Sequence, residues 1–162
     1  MWLSDRRTFL LSLAALAGCG FEPVYGPGGD AAGLRSQIEV DAPTDEDGFN
    51  FVRRLEHRLG QPQAPRYQLG YTLRTDEDDL GITPDQQITR YNVLGQVDFT
   101  VTDVTTDSVV TSGTIENFTS YAATGTTVST RAAQRDANQR LMVILADQVV
   151  SRLLATSGAW AR

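Results

Sequence analysis

The sequence predicts an α+β fold: a two-layer sandwich in which a mainly antiparallel four-stranded sheet is covered by two helices. Three observations predict it. The segments 66–75 and 88–103 alternate apolar and polar residues with period two, the mark of strands with one buried face. The segments near 44–60 and 130–154 carry apolar residues at helical spacing. The elements follow in the order strand, helix, strand, strand, strand, helix, and a sheet with one apolar face needs a cover that two amphipathic helices supply.

Each element has a local reason. SQIEV reads as a short first strand. In TDEDGFNFVRRLEHRLG, Thr44 to Asp47 offer caps and negative charge to the positive end of a helix dipole. Val52, Leu55 and Leu59 share one face of that helix, and Gly60 and Pro62 stop it. In RYQLGYTLRT, Tyr67, Leu69, Tyr71 and Leu73 face one way. The acidic run DEDDLGITPDQQ reads as a solvated loop, without the ligand spacing of a calcium-binding loop. ITRYNVLGQVDFTVTD turns Tyr91, Val93, Val97, Phe99 and Val101 to one side, and TTDS turns the chain into VVTSGTIENFTSY, with Val109 and Ile115 expected on one face. AATGTTVS is a flexible link. The last helix spans 130–154 without Pro or Gly, with Ala133, Ala137, Leu141, Ile144, Leu145, Val149 and Leu153 in one stripe and Asp136–Arg140 as an i,i+4 surface pair. Leu141, Ile144, Leu145 and Val149 are expected to bury against the sheet face carrying Leu69, Tyr71, Val97 and Phe99.

The amino end has a different character. Arg6 and Arg7 precede the apolar run Phe9–Leu16, which is too short for a bilayer span of about 20 residues but suits a signal peptide. Small residues lead to Leu16-Ala17-Gly18-Cys19, which is similar to a bacterial lipobox. The implied organisation is a signal peptide at 1–18, a tether lipidated at Cys19 over 19–34, an α+β domain over 35–156 and a flexible tail at 157–162. An acylated amino end holds a chain on a membrane surface without spanning it. No later apolar run approaches membrane length. Arg6-Arg7-Thr8-Phe9-Leu10 also resembles a twin-arginine signal, so the general and twin-arginine export routes both stay open.

Composition excludes several functions. Removing residues 1–18, with Asp5, Arg6 and Arg7, takes the net charge from −6 to −7, which disfavours nucleic acid. The chain has no lysine, which removes Schiff-base chemistry and the P-loop lysine. Cys19 is the single cysteine and His57 the single histidine, too few for an ordinary zinc site. No metal or other cofactor is expected. His57, in a charged helical stretch, reads as a solvated side chain rather than a general base. Asp76 and Asp79 are the nearest thing to a paired-carboxylate hydrolase, and they fall in a loop with no apolar pocket signalled around them.

Taken together, LAGCGFEPVYG, RYQLGYTLR, TRYNVLGQVDFTVTD, the Ser112-Gly113 of the return strand and DANQRLMVILADQVVSRL resemble the LPS-assembly lipoprotein family, LptE. The resemblance implies an outer-membrane lipoprotein facing the periplasm, without enzymatic activity. It implies the β-barrel translocon LptD as partner, with this chain as its plug and assembly factor, and lipopolysaccharide as a ligand. Lipid A phosphates call for basic side chains, and Arg74 and Arg90 are the candidates because both flank the charged loop. The alternative is that they are ordinary strand-end arginines pairing with Asp76 to Asp79. A different class stays open beside this one: a periplasmic auxiliary lipoprotein of an ABC-type lipid transporter.

Overall fold

The computed structural model describes residues 34, 36–82 and 87–161. The expected signal peptide, Cys19 and nearly all of the expected tether lie outside the described residues. The elements are β1 (Ile38–Val40), α1 (Glu46–Leu59), β2 (Tyr67–Ile82), β3 (Ile88–Asp103), β4 (Ser108–Ala122) and α2 (Thr127–Trp160). They form one sheet in the order β1-β2-β3-β4. β1 pairs with β2 in parallel, and the other neighbours are antiparallel. A parallel pair needs a crossover between its strands, and α1 supplies it. The expected two-layer α+β sandwich, with its strand–helix–strand–strand–strand–helix order, is the observed fold.

Helix α1 starts where Asp45 turns its carboxylate onto the Gly48 N–H at 2.6 Å and ends at Gly60, whose φ of 82° suits glycine. It buries Phe51, Val52, Leu55 and Leu59. Helix α2 starts at a Thr126 cap and runs to Trp160. The link before it is therefore shorter than the sequence suggests, and the tail expected to fray from 157 is helical through Trp160. Ser157 is buried, and the Trp160 ring meets Tyr67 edge-on at 5.1 Å. By length and hydropathy α2 could cross a bilayer, contrary to the reading that no such run follows the amino end. Its apolar side is spent instead on the core of this domain, where Ala137, Leu141, Leu145, Val149 and Leu153 have no exposed surface.

Two strands depart from expectation. β2 does not end before the acids: Asp76, Glu77, Asp78 and Asp79 continue the ladder opposite Leu94, Val93, Asn92 and Tyr91. Backbone pairing to the long β3 holds this acidic stretch extended, although its side chains carry no apolar alternation. In β4 an irregularity sets Thr111 opposite Val101 but Val109 opposite Thr102. The extra residue changes the phase, so Val109 is 62% exposed while Ile115 packs on the core.

The core lies between the helices and one sheet face. Leu141, Leu145 and Val149 bury fully, as do Leu69, Val97 and Phe99 on the sheet; Ile144 and Tyr71, expected beside them, are only half-buried. Ile144 sits at the flank of the stripe, beside Val143, Gln139 and Arg140. Gly95 lets α2 approach: a Cβ there would lie 2.8 Å from Leu141 Cδ2 and 3.0 Å from Leu145 Cδ1. At the α1–α2 seam, Arg54 donates two hydrogen bonds to Asp147, at 2.8 and 2.9 Å, and Arg58 donates another at 2.9 Å.

Three outcomes follow from this packing. Leu141→Ala or Leu145→Ala should lower unfolding free energy by about 2–5 kcal/mol, as large-to-small core changes do, read from urea denaturation. Gly95→Ala should cost about 1–3 kcal/mol by overpacking the same contact. The third concerns pH. The hydrogen bonds from Arg54, followed by the charges of Arg54 and Arg58, hold the Asp147 carboxyl below its ordinary value of 3.8. A depressed folded-state value stabilises the protein above the unfolded value and ceases to do so as pH falls through the folded one. Asp147→Asn should therefore flatten the loss of stability measured below about pH 4, and leave the profile near neutrality parallel to that of the wild type.

Candidate functional site

The face of the sheet turned away from the helices carries no covering element among the described residues. Side chains alternate across a strand, so the residues that interleave with the core positions all point to this open face. Cross-strand rows run Thr72–Asp98–Thr114, Arg74–Gln96–Glu116, Asp76–Leu94–Phe118 and Asp78–Asn92–Ser120. The surface is thus rich in hydroxyl, amide and carboxylate groups. It holds one apolar row, in which Leu94 is 39% and Phe118 61% exposed. A shallow groove of about 390 Å³ lies here, lined among others by Arg74, Asp76, Gln96, Glu116 and Phe118.

Arg74 lies in the middle of β2, not at a strand end. It pairs with Asp98 at 2.9 Å rather than with the acids that follow it. The Thr114 hydroxyl, donating at 2.6 Å, and then Gln96 do most to hold the Asp98 carboxyl below its ordinary value; Arg74 adds to them. Arg90 is exposed near the start of β3, opposite Gly81 and Ala122, and makes no ion pair among the described residues. Gln96, opposite Arg74, and Arg90 are separated along β3 by about 20 Å at the strand rise. Both arginines are on the open face, but the structure does not bring them together.

Asp76 and Asp79 sit on opposite faces of β2, one opposite Leu94 and the other opposite Tyr91. Two carboxylates so placed cannot flank one scissile bond. His57 is exposed on α1 and has no hydrogen-bond partner among the described residues. The groove offers surface for hydrogen bonding and stacking.

On the inner face, a polar cluster escaped the sequence reading. Glu77 accepts from Gln134 Nε2 at 2.7 Å and from the Tyr121 hydroxyl at 3.2 Å, and Tyr121 stacks on Tyr91 with centroids 5.3 Å apart. Burial, then the Glu77 carboxylate, pushes the Tyr121 hydroxyl up to about 12. Thr119 also donates to the Ala137 carbonyl at 3.0 Å. This cluster fastens the first turns of α2 to the far half of the sheet. The signal that could have found it is the length of β3: a strand beginning at Ile88 needs a partner of equal length, which carries β2 through Glu77.

Comparison with solved structures agrees with this architecture. A lipoprotein from Caulobacter crescentus superposes with a TM-score of 0.67 at 20% identity, covering 82% of this chain and 98% of that one. Rare lipoprotein B from Shewanella oneidensis gives 0.61 at 14% identity, covering 78% and 98%. An uncharacterised lipoprotein B from Nitrosomonas europaea gives 0.59 at 11%, covering 86% and 94%. At these identities the likeness is one of fold. No curated protein matches by sequence. The lipopolysaccharide-assembly family model, LptE, matches residues 36–153, from the turn before β1 through most of α2. That span takes in the whole sheet, α1 and most of α2, and the chain belongs to the LptE lipopolysaccharide-assembly lipoprotein family.

Proposed function

We propose that this protein is anchored in the outer membrane through lipid on Cys19, faces the periplasm, and acts without catalysis as plug and assembly factor of the LptD β-barrel. The observation that carries this reading is the family match over 36–153 on a domain whose second sheet face is left open and polar. The lumen of a membrane β-barrel is polar, and rows of Thr, Ser, Asn, Gln and Asp suit such a wall. A plug enclosed on most sides should bury more than the roughly 1,600 Å² of a standard interface. Lipopolysaccharide is the ligand proposed for Arg74 and Arg90. Arg90 has no ion pair to give up among the described residues, whereas Arg74 would exchange Asp98 for a phosphate.

The deciding experiment is affinity purification of the mature protein from detergent-solubilised membranes. A large outer-membrane barrel should copurify, and depletion of this protein should leave that barrel poorly assembled. Copurification of an inner-membrane permease instead would favour the transporter-auxiliary reading. Cys19→Ser should leave an uncut precursor without acyl mass; a variant processed and sorted like the wild type would refute the anchor. Arg90→Gln should weaken lipopolysaccharide binding by up to about fivefold, since an exposed ion pair contributes about 0–1 kcal/mol. Unchanged binding in the Arg74→Gln/Arg90→Gln double variant would remove both arginines from the site.

A further inference from the structure

Two aromatic rings stand exposed among the described residues, Phe49 at 55% and Phe118 at 61%. Phe49 has a cation of its own, since the Arg53 guanidinium lies over its ring at 5.8 Å. The buried ring of Tyr67 likewise has Arg66 over it at 5.1 Å. No arginine among the described residues lies over Phe118. Phe118 forms, with Leu94 opposite Asp76 in the same cross-strand row, the apolar part of the groove on the open face. The free charges around it are of one sign. Arg74, the single cation lining the groove, is already held by Asp98 at 2.9 Å. Asp76 on β2 and Glu116 on β4 stand diagonally across Leu94 and Gln96. Both acids are exposed, and neither makes an ion pair among the described residues. The groove thus presents an open aromatic ring between two unpaired carboxylates.

We propose that this groove is a docking site for an arginine side chain presented by a partner protein. A guanidinium is flat and stacks on an aromatic face, carries the opposite charge, and forks its N–H donors onto carboxylates. A lysine would supply the charge without the flat face or the fork. The segment 19–33 supplies no such occupant, because its charged residues are Glu22 and Asp30, both acidic. A second copy, at a formal net charge of −6, would bring like charge to an acidic face. The occupant is therefore a different protein with a basic contact surface. Arginine and aromatic side chains are also the groups that most often dominate the energy of protein contacts. The site deepens the barrel reading, on which the identity of the partner rests, by giving the chemistry of one contact.

The test titrates the mature full chain, in detergent, with a capped Thr-Arg-Thr peptide and follows the backbone amide signals by NMR. A second peptide, with citrulline in place of arginine, keeps the shape and loses the charge. The arginine peptide should move the signals of Leu94, Gln96, Glu116 and Phe118 saturably, and the citrulline peptide should bind more weakly. Asp76→Asn and Glu116→Gln should each weaken binding by up to about fivefold, the range of an exposed ion pair. Phe118→Leu keeps the apolar surface, removes the ring, and should weaken binding about two- to fivefold, the range of an exposed cation–π contact. The same spectra show that each variant is folded. Equal affinity for the citrulline peptide overturns the proposal. So do signals that move elsewhere on the chain instead, or an unchanged affinity in folded Asp76→Asn/Glu116→Gln. In the affinity purification, that double variant should release the barrel at lower salt than the wild type does. A wild type that captures no barrel refutes the partner reading, while the peptide titration still decides the arginine site.

Discussion

The contact between α2 and the sheet at Gly95 is the constraint on which the rest depends. α2 crosses β3 and β4 with Leu141 and Leu145 seated where Gly95 has no side chain. That close approach lets one helix of 34 residues bury a continuous stripe against strands of 15 and 16 residues. A helix of that length is about 51 Å long, and a strand of 16 residues about 53 Å. Helix and strands are thus of similar length, and α2 is buried on the sheet from Ala137 onward. The Glu77–Gln134–Tyr121 cluster holds the far end of this contact, and the ring contact of Trp160 with Tyr67 holds the near end.

The second helix is positioned by the first. α1 lies beside α2, joined through buried leucines and through Asp147, which receives both Arg54 and Arg58. With both helices on one side, the apolar residues of the sheet are satisfied there. The other side is free to carry polar rows and the single apolar row of Leu94 and Phe118. The division of the sheet into a packed face and an open polar face means that the residues of the open side can change without disturbing the core.

Much of this was legible in the sequence because alternation and helical spacing report burial directly. β3 has the limits read from its pattern, and both helices were found from their apolar stripes. Failures came where structure rests on something other than apolar periodicity. The acidic end of β2 has no apolar residue between Leu73 and Leu80, and it is a strand because β3 pairs with it. The changed phase of β4 at Val109 is a backbone event with no composition of its own. The last residues of α2 read as a tail because Gly158 interrupts the pattern, yet Ser157 and Trp160 hold the helix to the core. The candidate ligand-binding residues Arg74 and Arg90 were read from their place beside the charged loop, and strand alternation sets both on the face turned away from the helices. The pairing expected with Asp76 to Asp79 is replaced at Arg74 by Asp98, which lies across the ladder.

β1 has only three residues, yet it joins the amino-terminal segment to everything else. Leu34 and Ile38 are both buried, and β1 runs parallel to β2 with Ile38, Glu39 and Val40 opposite Tyr67, Gln68 and Leu69. A pull along the strand axis through the amino-terminal segment therefore loads these three pairs together, in shear, instead of opening them one after another as in a peeled hairpin. Extraction under such tension would also have to drag the Leu34 and Ile38 side chains out of the core. The shortest strand of the sheet is thus also its mechanical fastening.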